Sequence, residues 1–182
     1  MAPRMLLLTG MPAVGKTTIV SRLVQQLRNY GISVGGIYSI ERRIEGKRAG
    51  FVMIDLMTGS RQDLAAQHGE GPKMGKYRVN LKALEEFAVK AIDQAMQYAD
   101  VVIIDEVGPM ELMSPGFRRA VERLEQSAKA SVLVVHARLK DPLILNLKNR
   151  EDSELFEVTL QNRDELPAIL KEKILKVLAI GK

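Results

Sequence analysis

Met5-Leu6-Leu7-Leu8-Thr9-Gly10-Met11-Pro12-Ala13-Val14-Gly15-Lys16-Thr17-Thr18 joins an apolar run to a glycine-bounded loop and then to the start of a helical repeat. Residues 5–9 predict a short strand buried on both faces. From Gly15, the apolar positions Ile19, Leu23, Leu27 and Tyr30 recur at helical intervals, and Gly31 supplies a stop. Between strand and helix, Gly10–Thr17 matches G-x-x-x-x-G-K-[ST] in the context that motif requires. Glycine lets the backbone wrap an oxyanion with no Cβ in the way, and successive N–H groups then point inward. The helix that follows adds the positive end of its dipole. Lys16 is placed to reach β- and γ-phosphates, and the Thr17 hydroxyl to bind Mg²⁺.

Working outward, residues 32–39 predict a second strand, weakened by Gly35-Gly36. Ile44-Glu45-Gly46-Lys47 reads as a hairpin turn between residues 37–43 and 48–57. Residues 58–79, rich in glycine, read as loop. Asn80 is placed to cap a helix running to about Tyr98, with Leu84, Ala88, Ala91 and Ala95 on one face. Residues 101–105 and 131–136 predict buried strands. Ser114-Pro115 opens a helix that buries Phe117, Val121 and Leu124. A short helix near 142–147, a strand at 155–158 and a helix from Asp164 to about Ile180 complete the chain. Apolar strands alternating with helices give an α/β, three-layer fold: a mainly parallel sheet with helices on both faces and an antiparallel hairpin added at one side. A single domain over 1–182 is expected, the hairpin and loop insertion occupying about 36–79.

Val101-Val102-Ile103-Ile104-Asp105-Glu106 is an apolar strand ending in two acids. The tip of a parallel strand is the ligand end of such a sheet. Asp105 is then placed to hold the hydration shell of Mg²⁺, and Glu106 to orient and deprotonate a water attacking the γ-phosphorus. Acids also end strands where the chain merely leaves the core. Charge spreads over the γ-phosphate oxygens during transfer, so a second cation helps. Arg43 and Arg48, flanking the hairpin tip, are the candidates, with Arg138 behind them. His136 reads as a hydrogen-bonded strand-end residue and His68 as exposed. No Asn-Lys-x-Asp guanine-reading motif occurs.

Composition narrows the chemistry. The chain of 182 residues has no cysteine, which excludes thiol nucleophiles, Cys-ligated zinc, iron–sulfur clusters and disulfides, and suits a reducing cytoplasm. Its 2 histidines make no metal cluster. Lys and Arg exceed Asp and Glu, 27 to 22, for a net charge of +5. That balance favours anionic partners such as nucleotides and leaves nucleic acid open, although 4 Phe, 4 Tyr and no Trp are thin stock for stacking single strands. No apolar stretch approaches a membrane span or a secretion signal. The expected protein is a cytoplasmic monomer.

Four blocks resemble a known family, the small P-loop nucleoside-triphosphatases first described from thermophiles, which include the cancer-related nucleoside-triphosphatase of animals. They are Leu8 through Thr18; Gly36-Ile37-Tyr38 with Glu41, Arg43, Gly46, Arg48 and Gly50-Phe51; Gly75–Val79 with Ile104-Asp105-Glu106-Val107-Gly108-Pro109-Met110-Glu111-Leu112 and Phe117; and Val158–Arg163. The resemblance implies a P-loop NTPase fold and a Mg²⁺-dependent enzyme that hydrolyses ATP, GTP and other nucleoside triphosphates slowly, with little base preference. It also implies nucleotide contacts at Gly10, Met11, Pro12, Ala13, Val14, Gly15, Lys16, Thr17 and Thr18, and around Val101, Val102, Ile103, Ile104, Asp105, Glu106, Val107 and Gly108. Asn162 and Arg163 either start the last helix or, as the family pattern allows, lie beside base or ribose. The chain departs from the family at Ala13, where a glycine is frequent; the alanine is expected to hold a negative φ. It departs again at Pro109, where a lysine is common, and at His136-Ala137-Arg138. Two rivals use the same loop: a kinase passing the γ-phosphate to a nucleotide or small-molecule acceptor, and a nucleic-acid-binding ATPase.

Overall fold

The computed structural model describes residues 2–180. Nine strands form one sheet in the order β5-β6-β4-β3-β2-β7-β8-β1-β9. They are β1 Met5–Thr9, β2 Val34–Ile44, β3 Lys47–Asp55, β4 Arg61–Ala66, β5 Lys73–Met74, β6 Tyr77–Val79, β7 Val101–Val107, β8 Ala130–Val135 and β9 Ser153–Glu157. From β2 through β7, β8 and β1 to β9 every pairing is parallel. From β2 outward through β3, β4, β6 and β5 every pairing is antiparallel.

Alternation along the central strands builds two cores. Met5, Leu7, Val102, Ile104, Leu133 and Val135 face one side; Leu6, Leu8, Val101, Ile103, Val132 and Val134 face the other. The second side is covered by α1 (Lys16–Asn29), through Ile19, Leu23 and Leu27, and by α6 (Leu166–Ile180), through Leu170 and Ile174. The first side is covered by α3 (Val89–Tyr98), α4 (Pro115–Gln126) and α5 (Pro142–Asn149). The helix entering α3 begins as one turn, α2 (Leu81–Ala83), and passes through a π-helical stretch, Leu84–Ala88. Asn80 caps it, its side-chain oxygen accepting from the Ala83 N–H at 3.0 Å. Ser114 caps α4 in the same way, accepting from the Phe117 N–H at 3.0 Å. Each cap satisfies a donor that a helix start leaves unpaired.

Three expectations are corrected. Tyr30 caps α1 and is exposed instead of joining its apolar face. Gly35-Gly36 does not weaken β2: a Cβ at Gly36 would overlap the Ile103 carbonyl, so the glycine is what lets β2 lie against β7. Residues 58–79 are not simply loop. Leu64 and Ala65 of β4, and Tyr77 and Val79 of β6, are buried, and β4, β6 and β5 extend the β2–β3 hairpin into a five-stranded antiparallel wing.

Candidate active site

The phosphate-loop motif lies between β1 and α1, at the carboxyl end of the parallel strands. Gly15 precedes the helix at φ 116°, a left-handed conformation that glycine adopts without strain. Ala13 was expected at negative φ; it stands at φ 62°. The loop's path demands the left-handed turn there, and the alanine accepts the steric cost of placing its Cβ near the following carbonyl. The Lys16 ammonium donates to the carbonyls of Gly10 at 2.6 Å and Met11 at 3.0 Å, so it lies folded across the loop it serves.

The central strand brings its acids to the same place. β7 pairs with β8 in register as far as Asp105 opposite Val134, and resumes with Val107 opposite Val135. Glu106 is the extra residue of this bulge. A bulge breaks the alternation of a strand, so Asp105 and Glu106 both line one cleft instead of facing opposite sides of the sheet. Pro12, Ala13, Gly15, Lys16, Thr17 and Thr18 line it too, together with Glu41, Arg48, Glu111 and His136; its volume is about 570 Å³.

Burial sets the electrostatics. Asp105, 4% exposed, is pushed up to about 7, first by loss of solvation and then by the charge of Glu106; the Thr17 hydroxyl, hydrogen-bonded to it, and the Lys16 charge oppose this. Burial also raises Glu106, against the pull of His136 and Lys16. Sequence reasoning assigned no role to Glu111. Its carboxyl is buried and raised to about 8, chiefly by desolvation and then by the charge of Glu106. A 3₁₀ turn, Glu111–Met113, folds it back over Gly108. A Cβ on Gly108 would collide with Glu106 Oε1 and stand 3.0 Å from Glu111 Oε2, so only glycine leaves room for both carboxyl groups. The signal was present in the sequence as an acid within the Gly-Pro-Met-Glu-Leu run, but nothing local marks that acid as buried.

The other expected residues are distributed unevenly. Glu41 grips both arginines: Oε1 accepts from Arg48 at 2.5 Å and Oε2 from Arg43 at 2.8 Å. Arg48 lines the cleft; Arg43 points to the hairpin turn and donates to the Gly46 carbonyl at 3.0 Å. Val101, Val102, Ile103 and Ile104 lie fully inside the two cores and hold Asp105 in position from behind, without lining the cleft. Asn162 is engaged in the turn before α6, accepting from the Thr159 N–H and donating to the Glu157 carbonyl, each at 2.8 Å. Arg163 donates to the Val14 carbonyl at 3.3 Å and, with Gly15, Thr18 and Arg22, lines a smaller cleft of about 210 Å³ behind the loop. His136 lies in the main cleft with Nδ1 accepting from the Arg138 and Leu139 N–H groups at 3.2 and 3.0 Å, which leaves Nε2 as its free nitrogen.

The oxygens present suit Mg²⁺. Asp105 Oδ2 is buried without a hydrogen-bond partner among the described residues, and the Asp105 carboxyl lies beside the Thr17 hydroxyl. Hard oxygen donors with one unsatisfied valence are what this ion takes, and it usually draws its remaining ligands from phosphates and water.

A family model described as NTPase matches residues 5–171. A nucleoside-triphosphatase THEP1 of Methanopyrus kandleri is 42% identical over 96% of this chain and 97% of its own length. The crystal structure of THEP1 from the hyperthermophile Aquifex aeolicus superposes with a TM-score of 0.80 at 32% identity, covering 96% of this chain and 98% of that one. The solution structure of a human cancer-related nucleoside triphosphatase gives 0.76 at 33% identity, covering 92% and 95%.

Proposed function

The chain belongs to the NTPase family and hydrolyses nucleoside triphosphates; we propose that it does so slowly, with little base preference, on a Mg²⁺-bound polyphosphate held by the loop Gly10–Thr18. One observation carries this reading: the loop, Lys16, Thr17, Asp105 and Glu106 converge on a single cleft. Main-chain N–H groups of the loop bind the phosphate oxygens. Lys16 exchanges its two carbonyl acceptors for β- and γ-phosphate oxygens. Thr17 and Asp105 would hold the ion, which when bound neutralises phosphate charge and draws Asp105 into its ionised form.

Glu106 accepts the proton of the attacking water. Its raised proton affinity suits it to that task near neutral pH, since a carboxylate of ordinary pKa is a weak base. The water's oxygen bonds to the γ-phosphorus as the bond to the bridging oxygen breaks, and the diphosphate and phosphate leave. Arg48, on the cleft wall, supplies a further cation for the γ-phosphate. Its pairing with Glu41 must loosen before it can do so, which accords with a slow rate. Arg43 acts through that pair. Arg163, behind the loop, is suited to ribose and phosphate contacts that do not distinguish bases, while Asn162 holds the turn that leads into α6.

The finer reading is a cytoplasmic monomer acting on free nucleotides, with nucleic acid not required. Among the described residues no helix is long and apolar enough to cross a membrane. Phosphate release from ATP, GTP, CTP and UTP, with and without Mg²⁺ and RNA, tests the reading. Release from all four that needs Mg²⁺ and ignores RNA supports it. Release that appears only when RNA is added supports the nucleic-acid-binding rival.

A further inference from the structure

Strand order decides what β8 faces. β8 lies between β7, which carries Asp105 and Glu106, and β1, which opens into the phosphate loop. The carboxyl tip of β8 therefore stands between the loop and the acids. The residue at that tip is His136, half-buried on the wall of the main cleft. The hydrolytic scheme above gives it no task.

Its ring is held in place. The His136 N–H donates to the Val107 carbonyl at 3.3 Å, which fixes the residue beside the bulge that carries Glu106. Nδ1 accepts from the N–H groups of Arg138 and Leu139 at 3.2 and 3.0 Å. A nitrogen that accepts in this way carries no hydrogen, so the ring's hydrogen is on Nε2. The two nitrogens bond in nearly opposite directions, and pinning Nδ1 to the turn therefore directs Nε2 away from it. Nε2 has no hydrogen-bond partner among the described residues. The same turn leans on the phosphate loop, the Arg138 guanidinium reaching the Met11 sulfur at 3.8 Å. On its other side the ring acts on Glu106, opposing that carboxyl's raised proton affinity.

We propose that His136 is a further catalytic residue, whose Nε2–H donates to an oxygen of the γ-phosphate. The proposal rests on the reading above, in which the γ-phosphate lies between Lys16 and Glu106. A phosphate there faces the tip of β8. An N–H oriented before the substrate arrives costs no reorganisation at the moment of reaction. In this His136 differs from the two cations of the site. Lys16 must leave the carbonyls of Gly10 and Met11, and Arg48 must leave Glu41, whereas Nε2 has nothing to give up. Only the γ-phosphate lies on the Glu106 side of the loop, so a bound diphosphate offers His136 no partner.

The test separates the two ring nitrogens. His136→Asn keeps an acceptor where Nδ1 holds the turn and has nothing at the place of Nε2. His136→Gln puts an N–H near the place of Nε2 and gives up the acceptor of the turn. Phosphate release from Mg²⁺-ATP is measured, with titrations by ADP and by a non-hydrolysable ATP analogue. His136→Asn should lower kcat about 10- to 10²-fold and weaken the analogue about tenfold, while ADP affinity stays within about twofold and so shows an intact loop. His136→Gln should hydrolyse faster than His136→Asn. Wild-type kcat in His136→Asn overturns the proposal. So does equal weakening of ADP and analogue in both variants, which makes His136 a support for the loop only. So does a lower kcat with unchanged analogue affinity, which assigns Nε2 to Glu106 instead. Lys16→Ala controls for the underlying reading: hydrolysis at the wild-type rate there removes the γ-phosphate from its assigned place, and both readings fall. An inactive Lys16→Ala beside an unimpaired His136→Asn sinks the His136 assignment alone.

Discussion

Substituting Asp105 by asparagine should make the metal-free protein more stable at pH 8 while removing its response to Mg²⁺-nucleotide. Folding moves this carboxyl from 3.8 to about 7. The folded chain therefore binds the proton more tightly than the unfolded chain does. The stabilisation is complete below pH 3.8, falls as pH rises through the window up to about 7, and is gone above it. At about 1.4 kcal/mol per pH unit, this one group takes roughly 4 kcal/mol from the folded state across that window. Asparagine keeps an acceptor for the Thr17 hydroxyl, exchanges one unpartnered buried polar atom for another, and never ionises. It also removes a negative charge that raises Glu111. Urea unfolding in EDTA at pH 5 and pH 8 measures the effect. The wild type should lose several kcal/mol between the two, and Asp105→Asn should lose markedly less. Equal losses in the two proteins would refute the assignment of burial as the origin of the raised value.

Glu106→Gln should still bind Mg²⁺-nucleotide and hydrolyse it ~10²–10⁴ times more slowly, measured as phosphate release alongside a binding titration; hydrolysis at the wild-type rate means another group takes the proton. Ala13→Gly should relieve the left-handed strain at φ 62°, raising Tm by about 2 °C even after the added freedom of the unfolded chain is counted; a lower Tm would show that the alanine is not strained. Arg48→Ala should lower kcat by about 10² with little change in KM, whereas Arg43→Ala, outside the cleft, should stay within a few-fold of wild type. Steady-state kinetics on both separates the two arginines, and equal losses would mean that the Glu41 pairing acts as one unit.

What could be read from the chain alone follows from how each feature is encoded. The phosphate loop and the strand–acid tip are local patterns, and their residues meet because a parallel sheet places strand ends together. Asn80 and Ser114 cap their helices because capping needs only a side chain and the next turn. The wing was harder. β5 has two residues and β6 three, so their strand character comes from neighbours and not from their own period. Ala13 deceived because side-chain identity argues for negative φ, while the path from β1 into α1 imposes the opposite. Glu111 went unassigned because its burial depends on a tight turn packing over Gly108, a contact invisible in composition. Glu106 faces the cleft beside Asp105 through a bulge, which no alternation pattern foretells.

A crystal structure with Mg²⁺ and a non-hydrolysable triphosphate analogue tests the central claim most directly. The account predicts the γ-phosphate between Lys16 and Glu106, the ion against Thr17 and Asp105, and the nucleoside on the Arg163 side of the loop. A polyphosphate bound anywhere else, or one whose base lies against Phe51 and Met74, contradicts it.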